Sequence, residues 1–165
     1  MKSVLFIRHA KSSWDNESVS DFDRSLNERG KKDAPEMARY LISKKVPLDS
    51  FISSPAKRAR KTAELFISTY ELPESTLVLK PELYLPSTDI FYDMIEGTGN
   101  QFHHLAICSH NPAITNFVNL LTSEIKVDNI PTCGVFAIKS NIAQWQDFRK
   151  APKQFWFFDY PKNHM

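Results

Sequence analysis

Glycine and cysteine are scarce in this chain, with four and two among 165 residues, and that scarcity removes several familiar chemistries. The glycines fit neither G-x-x-x-x-G-K nor G-x-G-x-x-G, so no P-loop or dinucleotide-binding turn is encoded. The two cysteines, Cys108 and Cys133, form no Cys-x-x-Cys pair, and no His-x-x-x-His spacing accompanies them, which argues against a structural zinc site. Cys108 lies in the apolar run LAIC and reads as a small buried hydrophobe in a reducing compartment, so both are taken as free thiols. Six positions beyond each cysteine stand Ile114 and Lys139 rather than arginine, which excludes the Cys-x5-Arg chemistry of tyrosine phosphatases.

Long apolar runs are missing too. None approaches the roughly 20 residues a bilayer span requires, and the four residues Val4 to Ile7 before Arg8 fall short of the about 7 to 15 of a secretory h-region. A cytoplasmic protein without membrane association is therefore expected. Charge of one sign is not in excess: 21 Lys and Arg against 19 Asp and Glu give a formal +2, which is no broad electrostatic case for nucleic acid. Any anion site must be local. With 42% hydrophobic and 24% charged residues, positions 1–165 suit one globular domain able to bury a core without staples.

What is present is alternation. Short apolar runs read as strands at SVLFI, SFI, LVLK, HLAIC, VFAIK, near Gln144 to Phe148, and at FWFFD. Helical patterns run from Asn27 to about Lys45, Pro55 to about Tyr70, Thr88 to about Glu96 and Pro112 to Leu121. This order implies a layered α/β domain with a largely parallel sheet covered on both faces, the late strands pairing antiparallel.

In such sheets ligands bind beyond the carboxyl ends of the strands. Three of those ends deliver cationic groups: Arg8 and His9 after SVLFI, Arg58 in SSPAKRARKTAE after SFI, and His110 in SHNP after LAIC. Pro55 and Pro112 suit first helical positions with Ser54 and Asn111 as caps, and helix N-termini attract anions. A lone histidine is more often structural than catalytic, so His103 and His104 at a strand entry and His164 in the tail are left aside. Lys57, Arg60 and Lys61 read as a solvated helix face. The joint placement of Arg8, His9, Arg58 and His110 points to a phosphoryl pocket, with guanidiniums that fork onto phosphate oxygens and an imidazole that attacks phosphorus.

Arg8-His9-Ala10, SSPAKRARKTAE and SHNP, in that order, resemble the three signatures of the histidine phosphatase, or phosphoglycerate mutase-like, superfamily. RHAKSSW, DFDRSLNERG and the terminal Pro161-Lys162 narrow the resemblance to its short phosphohistidine phosphatase branch, the SixA-like proteins, over nearly the whole chain. The resemblance implies a three-layer α/β/α sandwich with a mostly parallel mixed sheet. It implies a metal-independent and cofactor-free hydrolase with His9 as nucleophile and Arg8, Arg58, His110 and the Asn111 backbone N–H holding the phosphoryl group. Ala10 replaces the usual glycine and Asp15 the frequent asparagine. An ionised Asp15 would repel phosphate, so it receives no binding role. Glu82, in LKPELYLPSTD, is only the nearest candidate for a general acid.

The expected reaction is hydrolysis of phosphohistidine on a protein through phospho-His9, with Arg8, Arg58 and a protonated His110 supplying three positive charges. The alternative within enzymes is a phosphomonoesterase or mutase acting on a small phosphorylated metabolite. A non-catalytic phosphate-binding module is disfavoured because all four core residues are present. Asp21-Phe22-Asp23 faintly suggests the paired aspartates of haloacid dehalogenase-like phosphatases, but it follows no apolar strand.

Overall fold

The run KSVLFIR forms an interior strand, β1 (Lys2–Arg8), in a computed structural model that describes residues 1–14 and 18–163. Its side chains alternate between two cores. Leu5 and Ile7 join one, Val4 and Phe6 the other, and all four are essentially inaccessible to solvent. A strand covered on both faces reads as a continuous apolar run, which is why VLFI lacks the polar alternation of a half-exposed strand.

The remaining strands are β2 (Ser50–Ser53), β3 (Leu77–Leu79), β4 (His104–Ser109), β5 (Val135–Ser140) and β6 (Gln154–Asp159). They form one six-stranded sheet in the order β3-β2-β4-β1-β5-β6. The β3-β2, β2-β4 and β4-β1 pairs are parallel, and β1-β5 and β5-β6 antiparallel, as expected for the late strands. Helices α1 (Glu28–Ser43) and α2 (Lys57–Thr69) pack on the Leu5/Ile7 face through Met37, Leu41, Ala59, Ala63 and Phe66. Helices α3 (Thr88–Glu96) and α4 (Ala113–Leu121) cover the Val4/Phe6 face through Phe91, Ile95, Ile114 and Phe117. The result is the α/β/α sandwich that the alternation implied.

Two local expectations need correction. The aromatic run near Gln144 to Phe148 is a 3-10 turn at Trp145–Asp147, not a strand. Trp145 is buried as a plug, its indole N–H donating to the Phe102 carbonyl (2.9 Å) and its backbone N–H to Asn100 Oδ1 (2.8 Å). Burial of such a short apolar run does not distinguish turn from strand by periodicity. Nor do Pro55 and Pro112 occupy first helical positions. Helix α2 starts at Lys57 and α4 at Ala113, and neither Ser54 nor Asn111 caps them. Their side chains are engaged elsewhere: Ser54 Oγ meets His110 Nε2 (2.8 Å), and Asn111 Nδ2 donates to the Ile130 carbonyl (3.1 Å).

No helix among the described residues is long and apolar enough to cross a membrane.

Candidate active site

The C-terminal end of β1 is fixed from several sides. Cys133, held at a φ of 60°, donates its N–H to both the Arg8 and His9 carbonyls (3.0 Å each), and the Ala10 N–H donates to Thr62 Oγ1 (2.9 Å). Thr62 in turn donates to the Arg58 carbonyl (2.7 Å), so one hydroxyl joins the His9 loop to the first turn of α2. Helix α1 abuts the same loop at Gly30, where a Cβ would fall 2.2 Å from the Lys11 carbonyl oxygen. Only glycine permits that approach.

His9 is 7% exposed, and its Nδ1 lies 2.7 Å from the Ala10 carbonyl oxygen. A carbonyl can only accept, so Nδ1 carries the proton and Nε2 presents its lone pair. Arg58 Nε–H donates to that lone pair at 3.3 Å. Burial, partly offset by the Ala10 bond and reinforced by His110, Arg58 and Arg8, pushes the His9 pKa down to about 3. The imidazole is therefore neutral, as a nucleophile requires.

The rings of His9 and His110 lie 5.2 Å apart at 51°. Burial, and after it Arg58, lowers the His110 pKa to about 4, so the ring is neutral at pH 7. Its Nδ1 is buried with no hydrogen-bond partner. Arg8 donates from Nη1 to the Ile130 carbonyl (2.9 Å) and leaves Nε buried and unpartnered. These groups line a cavity of about 380 Å³ together with Asn111, Asp21, Arg24, Tyr84 and Trp14.

Three of those lining residues were not legible as site residues. Asp21 accepts from Arg58 Nη2 (3.1 Å), pairs with Arg24 Nη2 (3.3 Å), and accepts from the Tyr84 hydroxyl. The Tyr84 bond first, and then Arg58, holds its carboxyl below the usual range. Asp21, half of the Asp21/Asp23 pair set aside on sequence, is thus a carboxylate that braces arginines. Arg24 lies over the Trp14 ring at 3.5 Å. Nothing in the local sequence announces these roles, because the segment carrying Asp21 and Arg24 follows no strand; the only signal was its place in DFDRSLNERG.

Glu82 is exposed and lies outside the cavity lining, whereas Asp21 is the one carboxylate among the described lining residues. Lys57, Arg60 and Lys61 are exposed, as a solvated face requires. His104 begins β4 and bonds Ser3 Oγ (2.9 Å), away from the cavity. Cys108 and Cys133 are free and buried. Asp15 and His164 lie outside the described residues. No group of three or more His, Cys, Asp or Glu side chains suited to a metal ion occurs among the described residues.

Residues 4–83, which carry Arg8, His9 and Arg58, match the model of the histidine phosphatase superfamily (branch 1). Over that stretch, just under half of its length, the chain is similar to the superfamily. It is similar to a chloroplastic protein of Arabidopsis thaliana (39% identity over 61 residues, 37% of this chain and 28% of that one). It is also similar to the phosphatase PhoE of Bacillus subtilis (32% over 75 residues, 44% of this chain and 38% of that one). The matches thus span well under half the length of these curated relatives. In fold it is similar to the protein histidine phosphatase SixA complexed with tungstate, with a TM-score of 0.84, 21% identity and 99% of each chain covered. Of the residues matched, Arg8, His9 and Arg58 line the cavity, and His110 joins them there from beyond the matched stretch.

Proposed function

We propose that residues 1–165 act as one phosphatase domain that hydrolyses phosphohistidine on a protein through a phospho-His9 intermediate. The observation that carries this reading is a nucleophile without an acid. His9 Nε2 presents a lone pair beside Arg8, Arg58 and His110, while the one described carboxyl in the cavity lining, Asp21, is ionised and has no proton to donate. Alkoxide leaving groups need that proton, and general acid catalysis is typically worth about 100- to 10,000-fold. Imidazole, with a reference pKa of about 6.5, leaves with far less help.

In the first step, His9 Nε2 forms a bond to phosphorus as the bond from phosphorus to the substrate imidazole breaks. The Ala10 carbonyl, already accepting from Nδ1–H, steadies the positive charge that the ring acquires. Arg58 stays protonated and redirects its Nε–H hydrogen bond from the His9 lone pair to a phosphoryl oxygen, Arg8 offers its free Nε–H, and the Asn111 N–H adds a donor. A dianion in the cavity favours protonation of His110, whose unpartnered Nδ1 then donates to it. Water attacks phosphorus in the second step, releasing inorganic phosphate and restoring neutral His9.

Support comes also from the fold shared with a protein histidine phosphatase and from a cavity open enough to admit a phosphorylated side chain. The test is a comparison of kcat/KM for a phosphohistidine peptide, 3-phosphoglycerate and sugar phosphates. The peptide is expected to be preferred; faster turnover of a metabolite ester would replace this reading with the phosphomonoesterase one.

A further inference from the structure

Among the arginines lining the cavity, Arg24 is the one to which neither motif nor resemblance gave a task. Its side chain is only 12% exposed, yet Nε and Nη1 are both buried with no hydrogen-bond partner. Only Nη2 is engaged, at 3.3 Å from Asp21 Oδ1. The Trp14 ring below it satisfies the flat face of the guanidinium but accepts none of its in-plane N–H groups. Burying such donors unpaired is costly.

A guanidinium offers two pairs of N–H groups, Nε with Nη2 and Nη1 with Nη2, to a planar or tetrahedral oxyanion. In Arg24 the nitrogen common to both pairs is the one Asp21 occupies, and the two flanking nitrogens are free. Asp21 sits at the half-exposed end of the arrangement, with its side chain 53% accessible, and it binds Arg58 as well as Arg24. One half-exposed carboxylate therefore neutralises two cations of the cavity and leaves the fork of Arg24 unfilled.

We propose that Arg24 is a third phosphoryl-binding guanidinium, and that Asp21 is a placeholder carboxylate that releases Arg24 and Arg58 when the phosphoryl group enters. The exchange substitutes a dianion with several acceptor oxygens for a monoanion. Tyr84, whose hydroxyl donates to Asp21, retains the displaced carboxylate at the cavity edge. This deepens the phosphatase reading and rests on it.

The test is calorimetric binding of inorganic phosphate to the full chain and to Arg24→Ala, Arg24→Lys, Asp21→Asn and Arg60→Ala, paired with kcat/KM on a phosphohistidine peptide. Arg24→Ala should weaken phosphate binding by about 10- to 100-fold, the scale of one charge-assisted contact. Arg24→Lys keeps the charge but loses the fork, so it should recover only a minor part of that loss. Asp21→Asn should tighten phosphate by about 2- to 5-fold, the scale of an exposed ion pair removed from competition. Arg60→Ala should match the unmodified chain. If Arg24→Ala is not folded, by circular dichroism, Arg24→Lys decides. Unchanged phosphate affinity in the Arg24 variants of an active enzyme overturns the role of Arg24, and weaker binding by Asp21→Asn overturns the placeholder. Failure of the unmodified chain to bind phosphate overturns the phosphoryl pocket itself, and this inference with it.

Discussion

Acidification from pH 7 to pH 5 should destabilise the fold through the two buried histidines of the cavity, His9 and His110, alone. Each is held below an unfolded value near 6.5, at about 3 for His9 and about 4 for His110, because burial disfavours the charged ring. A depressed folded pKa means that the unfolded chain binds the extra proton first. The stability contribution is then complete above about pH 6.5 and is lost as pH falls toward the folded values. Integrating that difference from pH 7 to pH 5 gives about 2 kcal/mol per histidine, or about 4 kcal/mol together. Against a total of about 5 to 15 kcal/mol for a domain this is large. At roughly 2 to 4 °C per kcal/mol for this size it lowers Tm by about 8 to 15 °C. Of the groups facing the two rings, Arg8, Arg24 and Arg58 oppose protonation, whereas the Ala10 carbonyl favours it at His9 and Asp21 favours it at His110. The assay is thermal melting at pH 7 and pH 5 for the unmodified chain and for His9→Gln and His110→Gln, which carry neutral side chains throughout. Each substitution should recover about half of the pH-dependent drop, and millimolar phosphate should also shrink it by favouring the charged rings. An identical drop in all three proteins would refute the assignment of buried neutral histidines.

Rapidly quenched enzyme kept away from acid should carry an acid-labile, base-stable phosphate on His9, and NMR should place it on Nε2, since Nδ1 is committed to the Ala10 carbonyl; normal turnover by His9→Ala would exclude the mechanism. Arg58→Ala should lower kcat/KM by about 100- to 1,000-fold, by analogy with loss of one oxyanion donor, whereas exposed Arg60→Ala should stay within about twofold. Equal losses would mean the pocket is elsewhere. Glu82→Gln should leave turnover of phosphohistidine and p-nitrophenyl phosphate nearly unchanged, because Glu82 lies outside the cavity lining. Activity should also persist in EDTA; complete loss, restored by magnesium, would point to aspartate chemistry instead.

The parts of this molecule legible in sequence are those in which local pattern and tertiary position coincide. SVLFI, SFI and LAIC are apolar runs because they are interior strands, and the polar residues that follow them must stand at one edge of a parallel sheet. That geometry is enough to bring Arg8, His9, Arg58 and His110 together. Asp21, Arg24 and Tyr84 belong to segments outside the strands, and their meeting depends on how those segments fold over the cavity, which no periodicity encodes. The depressed pKa of His110 is invisible in the sequence for a related reason. Counting the charge an incoming phosphate needs says nothing of the burial that the surrounding side chains impose on the ring.

The hydroxyl of Thr62 couples two parts of the chain that are 49 residues apart, His9 and Arg58, through a single oxygen atom. It makes the spacing between attacking atom and cation a property of helix α2 rather than of either side chain. Valine at position 62 would preserve volume and leave both the Ala10 N–H and the Arg58 carbonyl to find other partners. The site would then keep every group that touches substrate and yet lose its calibration. On the proposed mechanism such a protein should bind phosphate and turn over slowly, which makes Thr62 the position at which affinity and rate can be separated without touching His9, Arg8 or Arg58.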